Sequence, residues 1–462
     1  MMTGEQYRES LRDGRRIFSH GRRIDDVTTD PHTKLSVEWI ADGYDQHYQP
    51  GDDAHGPYFF IPRSADELRE QEELQKNWDF PTISTASGLL MLLTASSRMR
   101  ADLPEYADRV LAFFEDAKRR DVRGVLCITD AKGDRSKSPK GQDDPDMYLR
   151  IKERTRDGVV LSGAKLHISS AAVAHELIVM PTKRMKEDES EYAIACAVPM
   201  NAPGVTIVNA TFTPRPDFDE RFFPYSRGHV MTEGFVVFDD VFVPNERGFL
   251  AGEVEHSATF AHCLGLWERL GSLGHYIDVA DTLVGLAQLV SEANGTERIP
   301  HIRDKIGDMI VYATMIRSSF EAAISHSTLT PDGYASPDEL FTNAGKYYAA
   351  SNFSLMVRHL HDIGGGSILT APALADLENP ETGKYVEKYM RTKVGVDAER
   401  RMRLFHAIRD YTSDAYGGWQ LVTMLQAGGG LYSQQIVARK HYDMARAKEL
   451  ALATAGLADE AH

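Results

Sequence analysis

Residues 158–170 read Gly-Val-Val-Leu-Ser-Gly-Ala-Lys-Leu-His-Ile-Ser-Ser. A β-branched run flanked by glycines and closing on small hydroxyl residues is a strand signal, not a helical one. Similar short runs stand around it: Val125-Leu-Cys-Ile128, Glu176-Leu-Ile-Val-Met180, Tyr192-Ala-Ile-Ala-Cys-Ala-Val198 and Gly234-Phe-Val-Val-Phe-Asp239. Turn signals separate them, and the polar stretch Thr182–Glu191 suits a hairpin loop. The block 125–250 is therefore expected to be an antiparallel β-domain. On either side the texture is helical. Thr3 can cap a first helix, Ser64 and Glu67 have capping-box spacing, and 106–119 places Val110, Leu111, Phe113 and Phe114 at helical intervals. Beyond residue 250, helices are expected over 257–294, 300–328, 339–361, 384–391, 396–414 and 431–456, with breaks at Asn294-Gly295, 330–333 and 364–366. Such a series packs as a bundle. The chain reads as α+β with three domains: an N-terminal helical domain over 1–124, the middle antiparallel β-domain over 125–250 and a C-terminal helical bundle over 251–462.

Composition narrows the function classes. Of 462 residues, 42% are hydrophobic and 26% charged, ordinary for a globular chain long enough for several cores. A formal net charge of −16 argues against nucleic-acid binding, which needs a basic face, but leaves room for an anionic ligand in a local basic site. The polar opening Met-Met-Thr-Gly-Glu-Gln-Tyr is unlike a secretory leader, and the apolar run from Gly88 to Ser97 falls short of the ~18 residues that would span a bilayer. A cytoplasmic protein with no membrane partner is expected. Cys127, Cys196 and Cys263 are far apart and form no CxxC pair, which suits free thiols in a reducing compartment. Three cysteines cannot supply a four-cysteine iron–sulfur site.

Four segments carry candidate chemistry. In Ile128-Thr-Asp-Ala-Lys-Gly-Asp-Arg-Ser-Lys-Ser-Pro139, a β-run opens into a loop bearing Lys132, Arg135 and Lys137. Such a loop can hold a diphosphate or polarise a flavin carbonyl; it can equally be a solvated surface loop. In Gly163–Ser170, the donors His167, Ser169 and Ser170 follow a strand, as a flavin ring would need, or simply face solvent. The triplet Gly364-Gly365-Gly366 permits close backbone approach to a ligand or ends a helix, and it is not a GxGxxG turn after a strand. His262, Glu268, Arg269, His275 and Tyr276 cluster on one expected helix; Glu268 and His275, seven residues apart, share a face suited to acid–base work or to a buried polar packing contact, while His262 points elsewhere. That pair alone is too small a set for a metal. Gly417-Gly418 and Gly428–Gly430 interrupt the last helical region as turns or as points of close approach.

Taken together, these segments resemble the 4-hydroxyphenylacetate 3-hydroxylase family, which contains two-component flavin monooxygenases and 4-hydroxybutyryl-CoA dehydratase. Thr3-Gly-Glu-Gln-Tyr-Arg-Glu-Ser-Leu-Arg-Asp-Gly-Arg-Arg16 and Gly21-Arg-Arg-Ile-Asp-Asp-Val-Thr-Thr-Asp-Pro31 look like the hydroxylase opening. Thr129–Arg135, Asp144-Pro-Asp146, Gly158–His167, Val236-Val-Phe-Asp-Asp-Val-Phe-Val-Pro-Asn245 and the tail from Ala427 to Arg446 look closer to the dehydratase. The resemblance implies FAD, an acyl-CoA dehydrogenase-like fold and a homotetramer. It places flavin contacts on Thr129, Lys132, Asp134, Arg135, His167, Ser169 and Ser170, with Gly364, Gly365 and Gly366 reaching the cofactor across a subunit interface and Arg303 on a helix similar to one that approaches it. It also marks departures. At the dehydratase's cluster positions this chain carries Thr85, Leu89, Glu268 and His275, so no iron–sulfur cluster is expected. Glu233 matches a dehydratase acid, but a second such position holds Val422. The hydroxylases' substrate-side Arg and Tyr fall on an apolar stretch after Gly88, and their phenol-contacting histidine falls near Leu126, which implies a larger or less polar substrate.

The expected function is a monooxygenase acting on an aromatic or other apolar organic substrate with O2. Reduced FAD would come from a separate reductase, since no nicotinamide-binding fingerprint is present. His167, Ser169 and Arg135 would steady the flavin, and Glu268 and His275 would do the substrate-side acid–base work. The alternatives are a cluster-free flavoenzyme acting on an acyl-CoA, as isomerase or dehydrogenase, and a flavin-binding scaffold without catalysis.

Overall fold

A computed structural model describes residues 1–51, 54–76, 78–212 and 219–457. Helices α1 (Gly4–Ser10), α2 (Lys34–His47), α3 (Ala65–Gln75), α4 (Phe80–Met99) and α5 (Pro104–Arg120) come first. The capping residues read in the sequence act as such. Thr3 and Gln6 form a reciprocal capping box on α1, and Ser64 accepts from Glu67 N on α3. Asp79 caps α4 through Thr82 N, with Pro81 in the first turn. Nearly every side chain from Pro81 to Ser97 is buried, so α4 shows no polar stripe: it is apolar all round because other elements surround it.

Ten strands lie from the N-terminal segment to the start of the bundle: β1 (Ile17–Ser19), β2 (Arg22–Ile24), β3 (Gly124–Cys127), β4 (Arg150–Arg154), β5 (Gly158–Ser169), β6 (Glu176–Val179), β7 (Ile194–Pro199), β8 (Val205–Phe212), β9 (Met231–Pro244) and β10 (Gly248–Ala251). They form a six-stranded sheet in the order β2-β1-β8-β9-β5-β4 and a four-stranded sheet in the order β10-β7-β6-β3. Leu161, Ile207 and Val236 of the first share one buried cluster with Leu177, Ile194 and Cys196 of the second. Most pairings are antiparallel, as expected, but β1–β8 and β3–β6 are parallel. Two edge positions are thus filled by chain that arrives from the helical side, and β1 and β2 lie inside the stretch read as helical.

The remaining helices are α6 (Ser257–Asn294), α7 (Pro300–Ser325), α8 (Glu339–Gly364), α9 (Ser367–Thr370), α10 (Leu374–Glu378), α11 (Gly383–Met390), α12 (Ala398–Thr412), α13 (Ala415–Gln426), α14 (Leu431–His441) and α15 (Met444–Thr454). α6, α7 and α8 pack against one another, and α4 lies on α6, joined where Trp267 Nε1 donates to Thr94 Oγ1 at 2.9 Å. Two expectations are corrected. Gly417-Gly418 is no break but lies in the first turns of α13, where a Cβ on Gly417 would sit 2.3 Å from the Thr412 carbonyl carbon. The stretch 431–456 is two helices, because Tyr442 is extended between them. No helix among the described residues is long and apolar enough to cross a membrane.

Candidate active site

One face of α6 builds the site. Glu268, Gly271, Ser272, His275 and Val279 follow helical spacing and line a cavity of about 280 Å³. Its space comes from small residues: a Cβ on Gly271 or Gly274 would meet no atom closer than 3.6 Å, and Ser84 and Ser87 of α4 lie opposite. An aromatic wall closes the far side. Tyr225 stacks on His229 at 3.9 Å, Tyr416 meets Tyr225 at 4.5 Å, Trp419 meets Tyr416 at 5.6 Å, and Phe80 meets Trp419 edge-on at 6.0 Å. The segment carrying Tyr225 is held to α12: Asp410 Oδ2 accepts the N–H groups of Tyr225 at 2.7 Å and Ser226 at 2.9 Å.

The cavity gathers several titratable groups. Glu268 and His275 both line it, as their shared face requires. Burial pushes the Glu268 carboxyl up to about 7, against the pull of Lys346. Burial pushes the His275 imidazole down to about 4, with His229 adding to the effect, so it is neutral at pH 7. Glu72 of α3 also lines the cavity and is pushed up to about 8 by burial, with only Gln75 donating to it, at 3.0 Å. Behind the wall, Lys346 of α8 donates to Tyr276 Oη at 3.0 Å and to Met424 O at 2.6 Å; burial first, then Arg269, lowers it to about 7. Of these groups, the sequence pattern points to Tyr276, beside His275 on the same helix, but not to Glu72 or Lys346. What shifts their titration is burial contributed by distant segments. His262 does point elsewhere: its Nε2 lies 2.9 Å from Glu339 Oε1 near His441, and Arg98 fills the cation position beside that carboxylate at 3.4 Å.

The two loop segments lie side by side. Asp130 and Lys165 form a fully buried ion pair at 2.8 Å, and Leu166 N donates to Thr129 O at 2.7 Å. Lys165 Nζ also donates to Ile128 O at 2.9 Å and Met180 O at 3.0 Å. Thr129–Arg135 and His167–Ser170 are thereby pinned into one surface. Among the described residues, six non-glycine residues have left-handed backbone, and three of them (Lys132, His167 and Ser170) lie here. Such strain is found where a ligand is gripped. Burial and the surrounding Arg135, Lys165 and Lys183 hold the Lys132 ammonium below its ordinary range, so an acidic protein carries a locally positive spot here. Asp134 is used within its own turn, accepting from Ser136 N at 3.0 Å and Ser136 Oγ at 2.7 Å.

Glu233 links this surface to the cavity. Ser169 Oγ donates to its carboxylate at 2.9 Å, and Trp419 Nε1, from the cavity wall, donates to it at 2.8 Å. Burial raises the Glu233 carboxyl above its ordinary value. Arg303 and Gly364–Gly366 are not brought here. They share the opposite end of the α7–α8 pair, where Lys305 is paired with Asp362. Thr85 and Leu89 do not line the cavity either. The Thr85 hydroxyl donates to Pro81 O at 2.7 Å and Gly124 O at 3.1 Å, and Leu89 is core; the α4 residues that line the cavity are Phe80, Ile83, Ser84 and Ser87. The triplet Gly428–Gly430 approaches α6, with Gly428 O accepting from Arg269 Nε at 2.9 Å.

Comparison with known proteins covers almost the whole chain. Residues 3–250 match the family model described as 4-hydroxyphenylacetate 3-hydroxylase N terminal, and 257–456 match its C-terminal counterpart. The chain is 26% identical to the 4-hydroxybutyryl-CoA dehydratase/vinylacetyl-CoA-Delta-isomerase of Clostridium aminobutyricum, covering 99% of this chain and 100% of that protein. It is 26% identical to a FADH2-dependent monooxygenase of Burkholderia cepacia, covering 91% and 86%. Its fold superposes on an oxygen-tolerant archaeal 4-hydroxybutyryl-CoA dehydratase from N. maritimus with a TM-score of 0.87 at 25% identity, over 98% and 95% of the two chains. The architecture is acyl-CoA dehydrogenase-like: helices, a β-region and a helical bundle.

Proposed function

The chain belongs to the 4-hydroxyphenylacetate 3-hydroxylase family over both of its halves, and from that premise we propose that it is a flavin-dependent monooxygenase of an aromatic or other apolar substrate. FAD fits the pinned surface of Thr129–Arg135 and His167–Ser170. Lys132 and Arg135 answer its negative charge, left-handed Lys132, His167 and Ser170 form the grip, and Asp130 and Lys165 hold the two segments in register. Reduced FAD supplies the electrons that activate O2. No nicotinamide-binding turn is present, so a separate reductase delivers it.

The substrate occupies the cavity. Its aromatic wall and small-residue floor exclude water and orient a ring. Glu268, held near neutrality between burial and Lys346, takes a proton from the substrate, and neutral His275 donates or accepts a hydrogen bond without adding charge. Glu233, touching both Ser169 and Trp419, couples the flavin surface to the substrate wall. The observation that carries this reading is the junction itself: a cationic, backbone-strained surface joined through one buried carboxyl to an aromatic cavity with its own neutral-pH acid. The test is turnover with enzymatically reduced FAD under 18O2 against a panel of phenols, with mass spectrometry of products. One labelled oxygen per product supports the reading; its absence for every substrate, with peroxide as the sole product, refutes it.

A second reading is supported by Glu233, which matches a dehydratase acid and is buried beside the flavin surface. In it the protein shifts a proton or hydride on an acyl-CoA. It predicts anaerobic conversion of a thioester. None of the three cysteines lines the cavity, which weighs against a thiolate-held cluster taking part.

A further inference from the structure

Two buried polar groups of the cavity lining have no partner. Gln75 of α3 is 7% exposed and Ser87 of α4 is 4% exposed. Gln75 Nε2 donates to Glu72 Oε1 at 3.0 Å, but among the described residues nothing donates to Gln75 Oε1. The Ser87 hydroxyl takes part in no hydrogen bond among the described residues either. It does not return to the carbonyl four residues back, as the Thr85 hydroxyl does to Pro81 O. Both atoms border one space: each lies 3.8 Å from the position that a Cβ on Gly271 would take. Buried polar groups left unpaired are costly, so two that face the same opening mark a place where something binds. Gly271 belongs to the same arrangement. A Cβ there would make only ordinary contacts, so packing does not require a glycine, and glycine inside a helix is less stable than alanine. What the glycine preserves is the room in front of Gln75 and Ser87.

Resting on the reading that this cavity holds the substrate, we propose that Gln75, Ser87 and Gly271 form a subsite for an uncharged hydroxyl carried on a side chain of an aromatic substrate. The hydroxyl donates to Gln75 Oε1, and its oxygen accepts from the Ser87 hydroxyl. The ring of the substrate lies against Tyr225, Tyr416 and Trp419, none of which supplies the atoms nearest Gly271. Ring and hydroxyl are thus held by different parts of the lining. Charge disfavours other groups at the subsite. A carboxylate or phosphate would find no arginine on the described lining, and Lys76 gives its ammonium to both carboxylate oxygens of Glu73, at 2.8 and 2.7 Å. Glu72, bonded to Gln75, would stand close to such an anion. An alkyl end would leave both polar groups unpaired, and a site built around a hydroxyl discriminates against the analogue that lacks it.

The test titrates the full chain with 4-hydroxyphenyl alkanols of one to three side-chain carbons. Each is paired with the alkylphenol in which a methyl group replaces the alcohol, and 4-hydroxyphenylacetate serves as the anion. Calorimetry without flavin or oxygen gives the affinities. For the alkanol that binds best, Ser87→Ala and Gln75→Leu, with unchanged circular dichroism, should each shift the alkanol-to-alkyl affinity ratio about tenfold towards the alkyl compound. Gly271→Ala should weaken that alkanol by about the same factor while raising the urea midpoint, so the loss is not one of folding. Gly285, further along α6 and off the cavity lining, meets no atom within 4 Å, and Gly285→Ala should raise the midpoint without touching affinity. An unchanged ratio in Ser87→Ala or Gln75→Leu would show that these groups hold only solvent and would overturn the proposal. So would an equal loss in Gly285→Ala, 4-hydroxyphenylacetate binding as tightly as the alkanols, or binding of none of the phenols. The outcome separates from the flavin reading: the expected ratios without labelled product under 18O2 remove the monooxygenase and keep the hydroxyl subsite, whereas labelled product with unchanged ratios does the reverse.

Discussion

At the residue scale, the site's behaviour with pH follows from three buried groups. Lys346 pulls the Glu268 carboxyl down against burial, so its removal should raise that group further. Lys346→Met is expected to move the acidic limb of the pH–rate profile about one unit towards alkaline pH, and Glu268→Gln to cut turnover ~100-fold with little change in FAD affinity. A profile that stays put in Lys346→Met would remove Glu268 from the proton-transfer role. Glu72 makes a stability prediction. Its folded value of about 8 lies above its ordinary 4.5, so between those pH values the folded state keeps a proton that the unfolded chain has released. Stability therefore falls as pH rises through that window. Glu72→Gln should flatten the fall and gain on the order of 2 kcal/mol over the parent at pH 8, measured by chemical denaturation. The sequence made Glu268 and His275 legible because seven-residue spacing survives translation into a helix face. It could not show Glu72 or Lys346, whose chemistry is set by desolvation from segments hundreds of positions away.

At the element scale, the notable feature is the turn from α12 into α13. Gly417 packs against the backbone of Thr412, leaving no room for a side chain, and this contact aims Trp419, Gln420 and Thr423 into the cavity. Gly417→Ala should cost about 1–3 kcal/mol through overpacking and weaken substrate binding more than FAD binding, as followed by thermal denaturation and paired titrations. In the sequence those glycines read as a break, because glycine signals both a turn and a close approach. The long helices were legible from apolar spacing, and α6 matches its expected span of 257–294. β1 and β2, at three residues each, were too short to show a period; they are strands because β8 offers them an edge. The Asp130–Lys165 pair belongs at this scale too. Lys165→Met leaves a buried carboxylate unpaired, and a loss of about 3–5 kcal/mol with loosened FAD binding is expected.

At the scale of the whole molecule, apolar side chains stand exposed on the last helices: Val422 and Leu425 of α13, Tyr432 and Ile436 of α14, Leu450 of α15. Exposed apolar side chains gathered on neighbouring helices mark a candidate contact face. Self-association is expected, and Tyr432→Asp with Ile436→Asp should shift sedimentation towards the monomer. Arg303 and Gly364–Gly366, remote from the flavin surface within one chain, belong to this question: if they contact FAD, a second copy brings them, and the double variant would then weaken FAD binding as well. The lining of the cavity runs from Trp39 to Ala427, nearly the full span of the chain. A nascent polypeptide therefore lacks part of the pocket until residue 427 has left the ribosome, and a fragment cut inside that span lacks part of its lining. Ligand binding here reports completed synthesis and correct long-range assembly, and a small molecule that fits the space would serve as a folding aid for variants weakened anywhere along the sequence.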